Sequence, residues 1–486
     1  MIEIFVNRKN LEYDIYALFK AFFPQEELNI RTYEDDKEST GVPSFYDVVL
    51  SSSNVSCSYY EKEDIKAESK EEFFSPDKGA IKDAMKRCIY GCIASVTGKS
   101  LPWGTLTGIR PAKIPMLMLS KGQDDEEIRK YLKYNYLVSD EKIDLSTQIA
   151  HREREILKSI DVKDGYSLYI GIPFCPTTCL YCSFTSYPIA AWKDRVGDYL
   201  LCLKKELELT RELYNGRSPD TIYIGGGTPT TLTPDQLRDL IGFLNELFDL
   251  SSLKEFTVEA GRPDSITGDK LKALKEMGVG RISINPQTMN DDTLKVIGRR
   301  HTVRDIKNAF ALAREEGFNN INTDIILGLP GEGIEHVKHT MEELKDLKPD
   351  SITVHSMAIK RAAAMAGYLK EHKELESINT PDMLKCASEG AKSLGMLPYY
   401  MYRQKNMTGN FENVGYAREG CYGIYNILIM EEVQSIIACG AGTVSKRVYE
   451  DGLIERCDNV KDVDLYMSRL DEMLDRKRKL FGSLNT

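Results

Sequence analysis

The sequence predicts an α/β protein: an open, partial (β/α)6 barrel that lies between an N-terminal α/β domain and a mainly helical C-terminal extension. From residue 167, six short runs rich in β-branched residues alternate with amphipathic helical stretches, which implies parallel strands joined by right-handed crossovers. Six such units are too few for a closed eightfold barrel. We therefore expect residues 161–362 to form an open barrel, residues 1–160 a separate domain, and residues 363–486 a region that covers the barrel.

Composition excludes several classes of protein. The 486 residues carry a net charge of −10, which provides no general attraction for nucleic acid. The sequence lacks an apolar run long enough to span a membrane and a secretory signal pattern. The odd total of eleven cysteines cannot pair completely in disulfides. We therefore expect a cytoplasmic protein with no nucleic-acid partner and no stable membrane anchor.

The N-terminal domain begins with strand-like runs, followed by helices. The strands are predicted at IEIFV, LNIRTY, YDVVLSS and NVSCSYY, and the helices at 81–96, 124–134 and 139–160. Cys88 and Cys92 share one face of the first helix with Ile81 and Ala84, as expected for cysteines that pack in a core.

The barrel strands are predicted at SLYIGIP, TIYIGGG, KEFTVEA, RISINP, NINTDIIL and SITVHSM. Between the second and third strands, Thr233 can cap a helix that has Pro234 in its first turn and Gln236 in a capping box. In such folds the ligands bind at the carboxyl ends of the strands. The residues at these ends are therefore the candidates for function.

The first strand is followed by Cys175, Cys179 and Cys182, with the spacing C-x3-C-x2-C. Three thiolates can bind three irons of a four-iron cluster and leave the fourth iron open. Structural zinc is the alternative, but it needs a fourth ligand, and no His or Cys occurs in the next fifteen residues. The spacing also differs from that of a ferredoxin.

Polar or small residues follow the next four strands as well. A buried carboxylate at Glu259 would need a cationic partner, either a ligand ammonium group or Arg262. These strand-end residues together predict one polar mouth, formed by Gly225, Gly226, Gly227, Thr228, Glu259, Asn285, Gln287 and Asp324.

These motifs resemble those of a known family. The cysteine triplet, GGGTP, VEAGRPD, INPQT, IGRRHT and NTDIILGLPGE resemble a radical S-adenosylmethionine (SAM) enzyme. From about residue 165 to the end they resemble more narrowly the oxygen-independent coproporphyrinogen III oxidase-like family. LPWGTLTGIRP and YYMYRQKNMTGNFENVGYA are similar to the longer, coproporphyrinogen dehydrogenase form of that family.

The resemblance implies cofactors and roles. Cys175, Cys179 and Cys182 would bind a [4Fe–4S] cluster, whose open iron would chelate SAM. Further contacts to one or two SAM molecules are implied for Tyr169, Tyr181, Gly226, Gly227, Thr228, Glu259, Gln287, Arg299, Asp324 and Ala358. An external reductant such as flavodoxin or ferredoxin would reduce the cluster. A 5′-deoxyadenosyl radical would then take hydrogen from a coproporphyrinogen III propionate, and loss of carbon dioxide and one electron would leave a vinyl group.

A substrate with four propionates requires cations, and Arg suits carboxylate capture. We expect Arg403 and at least one of Lys360 and Arg361 to bind propionates of this tetrapyrrole. The alternative is that these residues only form a solvated basic face.

Two positions depart from the family pattern. Gly171 replaces a frequent His, and Phe184 stands where authenticated oxidases have a further cysteine. Heme chaperones of the same fold also have Phe at the second position, but the segment that carries their heme-associated His reads Tyr425-Asn426-Ile427-Leu428-Ile429-Met430 here. The alternatives to the oxidase are therefore a heme chaperone, another radical reaction on a tetrapyrrole, such as methyl transfer in anaerobic heme breakdown, or a purely structural cluster.

Overall fold

The computed structural model describes residues 1–32, 43–75, 77–108, 110–184, 186–358, 364–404 and 411–482. Its contacts divide the chain into two units: Met1–His151 with a short segment that begins at Arg403, and the remainder from Arg152 onwards. None of the described helices is both long and apolar enough to cross a membrane.

The first unit contains a five-stranded sheet in the order β2-β1-β3-β4-β5. Strand β1 is parallel to β2 and β3, whereas β3, β4 and β5 are antiparallel. Its elements are β1 (Ile2–Val6), α1 (Glu12–Phe22), β2 (Leu28–Thr32), β3 (Ser44–Leu50), β4 (Asn54–Glu61), β5 (Asp64–Glu72), α2 (Lys78–Thr97), α3 (Lys113–Ser120), α4 (Asp125–Tyr136) and α5 (Asp140–Leu157), which continues into the second unit.

Helices α1 and α2 supply much of the core of this unit. The core includes Phe19 from α1 and Cys88 and Cys92 from α2, all fully buried. The predicted packing role of this cysteine pair is therefore confirmed.

The second unit contains the predicted barrel, which is confirmed. Its first part comprises β6 (Tyr166–Ile172), β7 (Phe174–Cys175), β8 (Tyr187–Pro188), α6 (Val196–Leu213), β9 (Thr221–Gly226), α7 (Pro234–Leu247), β10 (Glu255–Glu259), α8 (Gly268–Glu276), β11 (Arg281–Ser283), α9 (Asp291–Val296), α10 (Val303–Glu315), β12 (Ile321–Leu327), α11 (Ile334–Leu347) and β13 (Ser351–Ser356). Strands β6 and β9–β13 lie side by side in parallel. Because these neighbouring strands are all parallel, their carboxyl ends lie at the same edge of the sheet.

Helix α7 shows how the sequence determines one of these crossovers. Thr233 and Gln236 form the predicted capping box, and Pro234 is at the start of the helix. Leu237, Ile241 and Leu244 are buried. Burying each of these side chains contributes about 1.5–3 kcal/mol to stability relative to leaving it exposed.

The C-terminal region contains more helix than strand, as predicted, but its described part also forms five strands that the sequence analysis did not predict. It comprises α12 (Met365–Glu371), α13 (Pro381–Ser393), β14 (Leu397–Tyr402), β15 (Asn413–Ala417), α14 (Ile424–Glu431), β16 (Ser435–Cys439), β17 (Val444–Val448), β18 (Ile454–Asp458), α15 (Val463–Ser468) and α16 (Leu470–Phe481). All five strands join the barrel sheet, whose order is β14-β15-β13-β12-β11-β10-β9-β6-β16-β17-β18. Each strand is only five or six residues long, and the pairings that join them to the barrel, of β15 with β13 and of β16 with β6, connect residues distant in sequence. Local periodicity therefore does not reveal them.

Candidate functional site

The three motif cysteines lie shortly after the first barrel strand, β6: Cys175 ends β7, and Cys179 and Cys182 are in the loop between β7 and β8. Residues 175–182 are called the cysteine loop. Cys179 is 8% exposed, and Cys175 and Cys182 are partly buried. All three are reduced. The backbone holds the loop, because Cys182 N donates to Cys179 O at 3.1 Å and Leu180 N donates to Ile297 O at 3.0 Å. These backbone hydrogen bonds fix the spacing of the thiols.

The environment of the loop affects the charge of its thiols. Burial raises the pKa of Cys175 and of Cys182, and the other thiols of the loop contribute to both shifts. Both thiols are therefore neutral at neutral pH, and a metal that bound them would have to displace their protons.

The loop fits a cluster whose irons each take one thiolate. In the described part of the chain, no three His, Cys, Asp or Glu side chains are close enough together to bind a single metal ion. Thiolates that bind separate irons do not need to meet at one point. The donor set is also all sulfur, as iron–sulfur clusters require.

The glycine turn after β9 packs directly against the cysteine loop. Gly227 N donates to Ile172 O at 2.8 Å and Thr228 N to Phe174 O at 2.7 Å, and the Thr228 hydroxyl lies 3.4 Å from Cys175 Sγ. A Cβ on Gly227 would come within 2.6 Å of Phe174 O. Only glycine therefore allows this approach.

Gly226 has a different role in the same turn. Its φ of +106° lies in the region that favours glycine. A Cβ there would lie 3.5 Å from the Tyr169 hydroxyl. The absent side chain thus leaves the backbone and the Tyr169 hydroxyl open to a ligand, as the predicted SAM site requires.

Glu259, at the end of β10, is bound by a tyrosine that the sequence analysis missed. The Tyr223 hydroxyl donates to Glu259 Oε1 at 2.8 Å, and the Tyr223 ring stacks on Tyr425 with centroids 4.6 Å apart. Burial raises the pKa of Glu259 to about 7; the nearby Asp324 adds to this, whereas the Tyr223 hydrogen bond opposes it.

Arg262, one of the two cationic partners considered for Glu259, binds other groups. Arg262 instead makes two hydrogen bonds to Asp264, at 2.9 and 2.6 Å, and one to Cys179 Sγ at 3.5 Å. Asp264 is only two residues further along the same turn, so its carboxylate can accept both hydrogen bonds from Arg262 without any change in β10.

Gln287, four residues after β11, contacts the backbone of Asp324, which lies in the middle of β12. Gln287 has a φ of +69°, and its N donates to Asp324 O at 3.0 Å. Among the described residues its buried Oε1 has no hydrogen-bond partner. Such an atom, held by a strained backbone, is suited to receive a ligand donor.

The Asp324 side chain is ionised in this setting. Asn322 donates to its Oδ1 at 2.8 Å, and His355 Nε2 lies 3.8 Å from its Oδ2. Burial alone would raise the pKa of Asp324, but His355 and the hydrogen bonds outweigh burial and hold it below its usual value. The mouth therefore contains two carboxyl groups whose pKa values are shifted in opposite directions, upwards for Glu259 and downwards for Asp324.

Arg299 connects the cysteine loop to two other strand ends. Its Nη2 donates to the Tyr181 hydroxyl at 2.8 Å, and its Nη1 donates to Gly261 O at 3.2 Å and to Asn285 O at 3.4 Å. This single buried guanidinium links the loops after β7, β10 and β11. Ala358, two residues after β13, is partly buried.

Of the three residues predicted to bind propionates, the structure describes Arg403. Lys360 and Arg361 lie outside the described residues. Arg403 is 5% exposed, donates to Leu106 O at 2.6 Å and lies over the Trp103 ring, 5.8 Å from its centroid. Its guanidinium thus already binds the turn-rich connector of the first unit.

Comparison with known proteins agrees with this geometry. Residues 169–344 match the Radical SAM superfamily. The oxygen-independent coproporphyrinogen-III oxidase-like protein HemZ of Bacillus subtilis is 43% identical over 418 residues, which cover 84% of this chain and 83% of HemZ. The heme chaperone HemW of the same organism is 42% identical over 194 residues, which cover 40% of this chain and half of HemW.

The solved structure of coproporphyrinogen III oxidase HemN from Escherichia coli has the same fold, with a TM-score of 0.52 and 22% identity over 66% of this chain and 73% of HemN. The match to HemZ extends over most of both chains. The chain therefore belongs to the oxygen-independent coproporphyrinogen-III oxidase-like family of radical SAM proteins.

Proposed function

We propose that the chain decarboxylates the propionates of coproporphyrinogen III to vinyl groups in two rounds, forming protoporphyrinogen IX without oxygen. As a radical SAM protein it uses a [4Fe–4S] cluster and SAM. The reduced cluster, when bound, supplies the electron that cleaves SAM to the radical that abstracts hydrogen. In each round the propionate loses one hydrogen atom, one carbon dioxide and one electron, which an external acceptor takes.

The residues of the mouth bind and orient the cofactors. Cys175, Cys179 and Cys182 hold the cluster, and the open backbone at Gly226 accepts the methionyl end of SAM. Glu259, when ionised, attracts the ammonium group of SAM. Because all of these groups come from neighbouring strand ends, the cofactor is placed at the carboxyl edge of the barrel.

The observation that carries the choice of an oxidase is the environment of Tyr425. In this chain the segment that matches the heme-associated stretch of the chaperones forms α14, and Tyr425 is 5% exposed. It stacks on Tyr223 and Tyr169, with centroids 4.6 and 5.9 Å apart. A side chain held inside the barrel in this way supports a site for SAM chemistry rather than heme display. The similarity to HemW keeps the chaperone as the competing function.

The test uses the anaerobically reconstituted full chain with reductant, SAM and coproporphyrinogen III. We expect methionine, 5′-deoxyadenosine and a tripropionate intermediate that is converted to protoporphyrinogen IX, all separated by chromatography. Cleavage of SAM without either porphyrin product would reject the oxidase, and stoichiometric heme binding without turnover would favour the chaperone.

Matched cysteine variants test the site itself. Cys179→Ser should lose the cluster absorbance and both reactions. Cys386→Ser, at a partly buried cysteine on α13, should retain both. A full cluster in the Cys179 variant would contradict the ligand assignment.

A further inference from the structure

Arg262 is a buried guanidinium in direct contact with a cluster ligand. The residue is 3% exposed. Its Nη1 donates to Cys179 Sγ at 3.5 Å and to Thr177 O at 2.9 Å. One nitrogen therefore contacts both the sulfur and the backbone of the loop that holds it.

Asp264 fixes the orientation of this guanidinium. Arg262 Nε donates to Asp264 Oδ1 at 2.9 Å, and Nη2 donates to Oδ2 at 2.6 Å. The Ser265 hydroxyl donates to Arg262 O at 2.7 Å and holds the turn. A planar donor bound on one edge by a carboxylate presents its remaining N–H groups in a fixed direction, and here that direction is towards Cys179.

His301 closes the arrangement from behind. Its Nδ1 lies 3.7 Å from Asp264 Oδ1, and its side chain is 1% exposed. Asp264 is therefore enclosed between a guanidinium and an imidazole. The Arg262–Asp264 pair has no net charge, so its effect on the sulfur comes from a directed hydrogen bond and the positive end of a dipole.

We propose that Arg262 is a positioning residue that raises the reduction potential of the cluster by donating a hydrogen bond to the Cys179 thiolate. Reduction adds one negative charge, which is shared with the ligand sulfurs. A donor aimed at one sulfur stabilises the reduced form more than the oxidised form, since hydrogen bonds to the sulfurs set the potentials of iron–sulfur clusters. This inference rests on the proposed role of the cysteines as cluster ligands.

The test is a potentiometric titration of the reconstituted cluster, followed by electron paramagnetic resonance. In Arg262→Gln we expect the ratio of oxidised to reduced cluster at a given potential to rise about tenfold. This corresponds to a midpoint potential lower by ~59 mV for a one-electron couple. Arg262→Lys keeps a charge but cannot form the paired contact with Asp264, and should fall between the two. Arg300→Gln, at the exposed neighbour of Arg299, should match the unmodified protein.

An unchanged midpoint in Arg262→Gln with full iron and sulfide content would overturn the proposal, as would an equal shift in Arg300→Gln. If the Gln variant binds no cluster, the unmodified protein labelled with ¹⁵N in its arginine side chains decides. Hyperfine coupling of the reduced cluster to ¹⁵N, absent in Arg262→Lys labelled in the same way, would support the proposal, and no coupling would overturn it. Failure of the unmodified protein to bind a cluster would instead count against the proposed function.

Discussion

At the scale of single residues, the carboxyl group of Glu259 changes its charge near neutral pH. It lies beside Gly225, where an added Cβ would come within 2.9 Å of the carboxyl carbon. Burial raises its pKa to about 7, so half of these groups are neutral near physiological pH. A neutral carboxyl has no charge to offer an ammonium group, so in the proposed role of Glu259 its protonation state would control SAM binding.

We expect the affinity for SAM to fall as the pH decreases below about 7. Each pH unit below the pKa should weaken binding about tenfold, because the ionised fraction falls by that factor. Glu259→Gln should bind weakly and lose this dependence. Calorimetric titration from pH 5.5 to 8 of both proteins measures it, and parallel curves for the two proteins would contradict the assignment.

Gly227 should tolerate no side chain. In Gly227→Ala the new Cβ would meet backbone oxygens on the neighbouring loop, and we expect a loss of ~1–3 kcal/mol in the free energy of unfolding together with impaired cluster retention. Gly242→Ala is the matched control, since the new Cβ would lie 3.5 Å from Met277 Cε in the middle of α7. Helix propensity favours that variant by ~0.5–1 kcal/mol. Urea titration and iron analysis separate the two outcomes.

The sequence predicted the residues that act through local spacing. The cysteine loop and the glycine turn belong to this group. The sequence left the partner of Glu259 open between a ligand ammonium group and Arg262, because the choice depends on side-chain directions that spacing does not contain. A signal for Tyr223 was present, since Tyr223 pairs in register with Tyr169 on the neighbouring strand and both side chains point the same way.

At the scale of elements, a buried polar network attaches α16 to α6. The Glu206 carboxylate accepts hydrogen bonds from Lys477 Nζ, from Asn459 Nδ2 at 2.7 Å and from the Tyr466 hydroxyl at 2.7 Å. The side chains of Glu206 and Lys477 are 0% and 1% exposed. The last helix of the described chain is thus held by an ion pair with no access to solvent.

We expect Lys477→Met to destabilise the second unit by ~3–5 kcal/mol, because it leaves the Glu206 charge buried without its cation. Arg478→Met, at an exposed position on the same helix that pairs with Asp475, should change the free energy of unfolding by less than about 0.5 kcal/mol. Chemical denaturation measures both. Equal stability of the two variants would show that the buried pair does not hold α16.

Prediction at this scale succeeded where the signal is local. The capping box of α7 and the alternation of the barrel elements were readable from the sequence. Strands β14–β18 were not, because the two pairings that join them to the barrel, of β15 with β13 and of β16 with β6, connect strands that are far apart in the chain. Strand β16, for example, lies parallel to β6, which precedes it by more than 260 residues.

At the scale of the molecule, stability should depend on an acid buried within the second unit. Glu153 is fully buried, and neither carboxyl oxygen has a hydrogen-bond partner among the described residues. Burial raises its pKa well above the usual value, and Glu431 nearby raises it further. The folded chain therefore binds a proton that the unfolded chain releases above about pH 4.5.

This proton makes folding weaker as the pH rises. Between the unfolded and folded pKa values of Glu153 the folded state binds more protons, so its contribution to the free energy of unfolding falls with increasing pH. Glu153→Gln removes that dependence. We expect the variant to gain ~1–3 kcal/mol over the unmodified chain at pH 8, with a smaller gain at pH 5. Denaturation at both pH values measures the difference, and an equal gain at both would contradict this origin.

The cysteine loop has a consequence for the assembly of the cofactor. Its backbone is anchored to Ile297 and its side chains to Thr228 and Arg262, so the conformational entropy of ordering it is lost during folding and not when iron arrives. Cluster insertion should then require little change in the conformation of the loop. Residues 175–182 should resist limited proteolysis equally well before and after iron is added.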